Sequence, residues 1–137
     1  PINHYEGQAA IELEAYASKK AGNYSYNIDC EENTWIMNPL PLWPELLADM
    51  EQDLPAGEIA YKFHLTMVSM FTDALQKVRE ESGLNRVVLS GGVFHNQILL
   101  IELLQAAGFT AYHHQQVPPG DGGLSLGQAI IASEVIS

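Results

Sequence analysis

Residues 86–92 read Arg86-Val87-Val88-Leu89-Ser90-Gly91-Gly92. A β-branched run that gives way to paired glycines describes a short buried strand ending in a tight turn. Phe94 to Ala107 then carries Ile98, Ile101 and Leu104 at helical spacing, with Gly108 as its cap. Phe109 to His113 is a second strand, Gln115 to Gly120 a loop, and a last helix begins at Gly122 or Gly123. In that helix the small residues Gly127, Ala129 and Ala132 beside Leu126 and Ile130 predict close packing. The order β-α-β-α predicts a parallel sheet covered on both faces.

Upstream, a long helix is expected from about Glu58 to Glu81. Ile59, Phe63, Met67, Met70, Ala74 and Val78 form one apolar stripe and Leu65, Val68, Phe71 and Leu75 a second. Two stripes make a face wider than one partner covers, so neighbours are expected on more than one side. Gly83 should end this helix. Tyr5 to Lys20 reads as a helix on Ala9, Leu13 and Ala17, stopped by Gly22-Asn23. Tyr24 to Asp29 and Trp35 to Met37 flank the polar Cys30-Glu31-Glu32-Asn33, a hairpin pattern. After Pro39, Pro41 and Pro44 a short helix runs to Gln52, and Pro55-Ala56-Gly57 ends that segment.

The 137 residues are the size of one domain, and 47% are apolar, enough for a core. Six Lys and Arg face 17 Asp and Glu, a formal charge of −11. Such a chain lacks the clustered cations that nucleic-acid backbones and anionic membranes require. No apolar run is long enough to span a bilayer. A single cysteine, Cys30, excludes an internal disulfide and cysteine-rich zinc sites, and fits a reducing, cytoplasmic setting. No signal peptide is read, and a chain opening at Pro1 is expected to be a piece of something longer. Ten of the acids fall in residues 1–53 and only Glu102, Asp121 and Glu134 after residue 81. The first part therefore reads as solvated surface and the second as packed core.

Two glycine turns carry the candidate chemistry. Ser90-Gly91-Gly92 and Asp121-Gly122-Gly123 each stand where an extended segment meets a helix. Glycine admits close backbone approach and a helix start offers free N–H groups, which together suit a phosphate. In a parallel sheet both turns fall at the carboxyl edge, where ligands bind. The plainer alternative is tight strand–helix packing with Asp121 as an ordinary N-cap. In the functional reading Asp121 holds a divalent cation through oxygen, with further ligands from elsewhere. His113 and His114, adjacent on a strand, should point to opposite faces. His64 reads as a satisfied group, His95 as a possible donor or a surface residue, and Cys30 as too close to carboxylates to be a nucleophile. Glu31-Glu32 and Asp49-Glu51-Asp53 read as solvated faces. No catalytic residue is singled out.

The stretches Tyr5-Glu6-Gly7-Gln8-Ala9-Ala10, Lys62-Phe63-His64, Leu89-Ser90-Gly91-Gly92-Val93-Phe94-His95-Asn96 and Val117-Pro118-Pro119-Gly120-Asp121-Gly122-Gly123 follow one another in an order that resembles the C-terminal end of the HypF family. The resemblance covers essentially the whole chain, residues 1–137, as the C-terminal part of a TsaD-like carbamoyltransferase domain. It implies an α/β fold, a helix-rich fragment of an actin-like ATPase (ribonuclease H-like) architecture. It implies a cytoplasmic protein with acylphosphatase-like, zinc-finger and YrdC-like modules upstream, the zinc being confined to those modules. It further implies carbamoyl phosphate and ATP as substrates, carbamoyl adenylate as intermediate, and the C-terminal cysteine of a partner, HypE, as acceptor. That group then becomes the cyanide ligand of [NiFe]-hydrogenase.

Carried over by motif, Gly91 and Gly92 hold the nucleotide, Asn96 lies beside the nucleoside, Asp121 ligates a divalent metal (Mg or Fe), and Glu6 stands near the ribose. The chain departs from the family at Gly120, where Asn is common, and at His95, where Gln is common. It lacks the family's histidine pair spaced four apart. It is therefore expected to be inactive alone, and to self-associate through apolar surface left bare by the missing half. Alternatives are a TsaD-like or O-carbamoyltransferase enzyme of the same fold, or a non-catalytic nucleotide-binding scaffold.

Overall fold

A computed structural model of the chain describes residues 4–19, 22–105 and 108–136. Helix α1 (Gln8–Tyr16) leads to a hairpin of β1 (Asn27–Glu31) and β2 (Thr34–Asn38). Helices α2 (Leu42–Glu51) and α3 (Ala56–Ser82) follow, then β3 (Arg86–Leu89), α4 (Gln97–Gln105), β4 (Thr110–His113) and α5 (Leu124–Ile136). Short 3₁₀ turns at Gly92–His95 and Asp121–Gly123 lead into α4 and α5. The expected helix ends at Lys20 and Ala107, and the inward side chain of Leu104, lie outside what the structure describes.

The 27-residue α3 is the spine, ended by Gly83 in the left-handed conformation. Its two apolar stripes do not separate onto two sides: Met67 of one and Val68 and Phe71 of the other share a single core, and Val78 is exposed. One side carries Val68 into a core with Leu89, Leu99 and Leu103, flanked by Met67, Phe71, Val87, Phe94 and Leu100. The other side is pinned by polar contacts. Thr66, fully buried, accepts the backbone N–H of Tyr24 at 2.8 Å and donates to the Lys62 carbonyl at 2.8 Å. The Tyr24 hydroxyl donates to Asp49 at 2.9 Å, and Lys62 Nζ meets the same carboxylate oxygen at 2.8 Å while lying 4.2 Å from the Tyr24 ring centre. Asp49 is thus no solvated surface acid; it ties α2 to α3. Farther along α3, Tyr26 donates to Asp73 and Trp35 to Glu81, so the hairpin rides the helix on hydrogen bonds.

The hairpin turns in two residues, Glu32 and Asn33, at φ 47° and 63°. Positive φ at both positions matches the right-handed twist of paired strands. The second sheet pairs β3 with β4 in parallel, Arg86 opposite Thr110 through Leu89 opposite His113. α4 is the crossover, as expected for parallel neighbours.

Four further expectations fail. The sheet is covered on one face only: Val87 and Leu89 turn to α3 and α4, while Val88 and Tyr112 on the other face are 71% and 52% exposed. α5 does not supply that second cover. Its Leu126, Ile130 and Ile131 stay open, so Gly127, Ala129 and Ala132 pack against nothing among the described residues. In α4 the inward residues are Leu99 and Leu103, and Ile101 faces out. The cause is the 3₁₀ turn at Gly92–His95, which delays the α-helix to Gln97 and shifts its phase. α1 is likewise exposed along Ala9 and Leu13, and docks through its C-terminal end. There Ser18 N–H donates to the Gly57 carbonyl at 2.9 Å, and a Cβ on Gly57 would stand 2.6 Å from the Tyr16 carbonyl. Gly57 thus lies inside α3 as a docking point. No helix among the described residues is long and apolar enough to cross a membrane.

Tyr24→Phe keeps the ring and the Lys62–Asp49 pair but removes one buried hydrogen bond, which should cost about 1 kcal/mol in chemical denaturation. Burial first, then the Asp49 carboxylate, pushes the Tyr24 phenol upward; burial first, then the Asp73 carboxylate, pushes Tyr26 up to about 12. Raised folded values mean that the folded state keeps protons the unfolded chain releases near its ordinary value of about 10. Stability should therefore hold below pH 10 and fall as pH rises through the folded values. Denaturation curves at pH 8 and pH 11 check this, and Tyr24→Phe should lessen the loss.

Candidate nucleotide-binding cleft

Two glycine turns end up in contact. Ser90 leaves β3 and Gly91 follows at φ 106°, a conformation open to glycine and strained for any side chain. The Gly91 N–H donates to the Pro119 carbonyl, 2.8 Å away. A Cβ on Gly120 would lie 3.7 Å from the Gly92 Cα and 3.6 Å from His95 Nε2. The second turn folds against its own loop. Gly123 N–H donates to the Gly120 carbonyl at 2.9 Å, and a Cβ on Gly123 would sit 2.7 Å from the Pro118 carbonyl. Any side chain there displaces backbone.

A cavity of about 270 Å³ opens between the turns and the first part of α5, lined by Ser90, Gly120, Gly123, Leu124, Gly127 and Gln128. Asp121 is exposed beside it, on the 3₁₀ turn that enters α5. Among the described residues no three His, Cys, Asp or Glu side chains converge to hold a metal, so Asp121 offers one hard oxygen ligand.

The start of α4 is not the open anion site that the glycines led one to expect. Asn96 is its N-cap, with Oδ1 accepting the Leu99 N–H at 3.0 Å. The next free donor, the Gln97 N–H, is taken at 2.7 Å by the carboxylate of Glu14 from α1. Asn96 Nδ2 lies 2.8 Å from Nε2 of His64. His64 is 3% exposed, and its Nδ1 lies 2.7 Å from the Ala60 carbonyl. A carbonyl only accepts, so Nδ1 carries the proton and Nε2 accepts from Asn96. The network assigns this tautomer and leaves His64 fully partnered, as its sequence position implied. Asn96 thereby joins the long helix to the segment that follows Gly91-Gly92.

The two glycine turns meet, but none of Gly91, Gly92, Asn96, Asp121 or Glu6 lines the cavity beside them; Asp121 is flanked by the lining residues Gly120 and Gly123, and Glu6 is exposed ahead of α1. Glu14 escaped the sequence reading because its partner lies 83 residues away and no local pattern marks it. His113 and His114 were expected on opposite faces, yet both border one cavity, because His114 lies just past the end of β4.

A parallel strand pair backed by a long helix, with glycine turns meeting at its carboxyl edge, makes a helix-rich α/β unit. Residues 1–128 match the family described as carbamoyltransferase, Kae1-like domain, second subdomain, which supports the actin-like ATPase fold. The fold superposes on a full-length HypF crystal structure in a phosphate- and nucleotide-bound form at TM-score 0.90 and 38% identity, over 98% of this chain and 18% of that one. It also superposes on HypF of T. kodakarensis at TM-score 0.76 and 30% identity, again over 98% and 18%. Carbamoyltransferase HypF of Rhizobium leguminosarum bv. viciae is 32% identical over 142 residues, which cover 98% of this chain and 18% of that protein. The chain belongs to the HypF carbamoyltransferase family and spans about a fifth of the length of these relatives.

Asn96→Ala removes the α4 cap and strands His64 Nε2 without a donor. Chemical denaturation should show a loss of about 2 kcal/mol. Asn96→Ser, which keeps a capping oxygen, should recover part of it.

Proposed function

We propose that this chain supplies the nucleotide-gripping part of the last domain of a cytoplasmic carbamoyltransferase. In this reading the enzyme uses carbamoyl phosphate and ATP, through carbamoyl adenylate, to carbamoylate the C-terminal cysteine of HypE. The observation that carries the reading is the Gly91–Pro119 hydrogen bond, which joins the two glycine turns beside a cavity lined by Ser90, Gly120 and Gly123, with Asp121 exposed between the last two. The nucleotide-bound form in which a relative with the same fold is known supports it.

Gly91 and Gly92 let backbone approach the nucleotide without a Cβ in the way. Asn96 keeps one amide proton for the nucleoside while its other polar contacts hold α4 to α3. Asp121 is the residue to hold a divalent cation. Its lone carboxylate suits Mg, whose remaining ligands are phosphate oxygens and water, and gives no nitrogen-rich set for Fe. Such a cation supplies neutralisation of phosphate charge. Glu6 serves the ribose only if other parts of the whole protein turn α1 toward the cleft. The formal charge of −11 speaks against a tRNA acceptor.

The isolated 137 residues, given ATP, carbamoyl phosphate and HypE, should show no transfer, because one carboxylate does not complete the site. In a whole protein carrying this chain, Asp121→Ala should lower carbamoyl transfer about 100-fold while the fold melts unchanged. Undiminished transfer in that variant would overturn the role of Asp121 and favour a scaffold that binds nucleotide without chemistry.

A further inference from the structure

A second cavity, also of about 270 Å³, lies on the far side of Pro119 and shares His114 with the glycine cleft. Its walls carry three imidazoles, His95, His113 and His114, together with the Gln97 amide. Its remaining walls are apolar, from Leu89, Phe94 and Leu100. The chain has 17 Asp and Glu residues, yet none of them borders this space. Each neutral imidazole offers one N–H donor and a carboxamide offers two.

The Ser90 hydroxyl and His114 Nε2 are 2.9 Å apart. If Ser90 donates, the N–H of His114 is on Nδ1; if His114 donates, the Ser90 O–H is free. Only the first leaves His114 a free donor for this cavity, since Ser90 lines the glycine cleft instead. The imidazoles and the Gln97 amide, which also faces the His95 carbonyl at 3.4 Å, share walls with Leu89, Phe94 and Leu100, an apolar setting where hydrogen bonds to a charged acceptor are strong. A metal is disfavoured, because among the described residues no three such side chains meet in ligating geometry.

We propose that the cavity lined by His95, His113 and His114 binds an oxyanion, the phosphoryl or carboxylate end of a substrate larger than the anion itself. The volume exceeds that of either group alone, so the rest of the substrate extends from it. The shared wall at His114 and Pro119 places the anion next to the glycine cleft. The assignment stands on its own lining and does not require the nucleotide reading.

The test is NMR of the full chain with labelled histidine, titrated separately with sodium phosphate and sodium acetate at constant ionic strength. The resonances of His95, His113 and His114 should move together and saturate at roughly millimolar anion. Stronger saturation by phosphate identifies a phosphoryl end, and by acetate a carboxylate end. The double variant His95→Gln/His113→Gln, checked for an unchanged melt, should weaken binding about tenfold. His95→Gln alone, at an exposed position, provides a second reading if the double variant does not fold. No saturable shift with either anion, or the same shift in the variants, overturns the proposal. So does zinc bound by the three imidazoles more tightly than phosphate. These results leave the Asp121 experiment untouched, so the two readings fail separately.

Discussion

One backbone hydrogen bond, from the Gly91 N–H to the Pro119 carbonyl at 2.8 Å, holds the candidate site together. Everything around it depends on that contact. Gly91 takes φ 106° as the chain passes from β3 into the following 3₁₀ turn, so no other residue serves there without strain. Pro119 must be brought back by the loop that ends at Gly123, whose lack of a side chain lets the Pro118 carbonyl come close. With the bond made, Gly92 and Gly120 lie almost in contact, and Asp121 follows Gly120 as an exposed carboxylate. Without it the two turns would be unrelated loops on adjacent strands.

The rest of the molecule acts as a mount for that junction. α3 carries Val68 into the core beneath β3 and α4, and the same helix presents buried His64 to Asn96. A buried polar pair is costly unless satisfied, and here every polar atom of the pair has a partner. The contact therefore fixes the register between spine and site. At the opposite side of α3, Thr66, Lys62 and Asp49 do comparable work on Tyr24. Lys62 and His64 belong to one Lys-Phe-His stretch, so consecutive polar residues of α3 brace its two sides. In contrast, α5 and the outer sheet face bury almost nothing, consistent with a unit that spans only a fifth of its relatives.

Much of this was legible in the sequence where the signal is local. The long helix α3, the β-branched run before Gly91, the Gly83 cap and the hairpin over Cys30 to Asn33 all follow from spacing and composition. The meeting of Gly91-Gly92 with Asp121-Gly122-Gly123 was legible from topology, since parallel strands put both turns at one edge. What escaped was non-local or phase-dependent. A single 3₁₀ turn after Gly91 moved the inward face of α4 from Ile98 and Ile101 to Leu99 and Leu103. Glu14 reached the α4 start from another helix, and Asp49 in an acidic cluster was drawn inward by Tyr24 and Lys62. The small residues of α5 read as packing, yet their partner is not among the described residues.

The most direct measurement is residue-resolved amide hydrogen exchange of the full chain. The account predicts that the Gly91 amide exchanges slowly, like the amides within β3, because the Pro119 carbonyl occupies it. A Gly91 amide exchanging at the rate of an open loop would contradict the account, since the two turns would then not share a cleft.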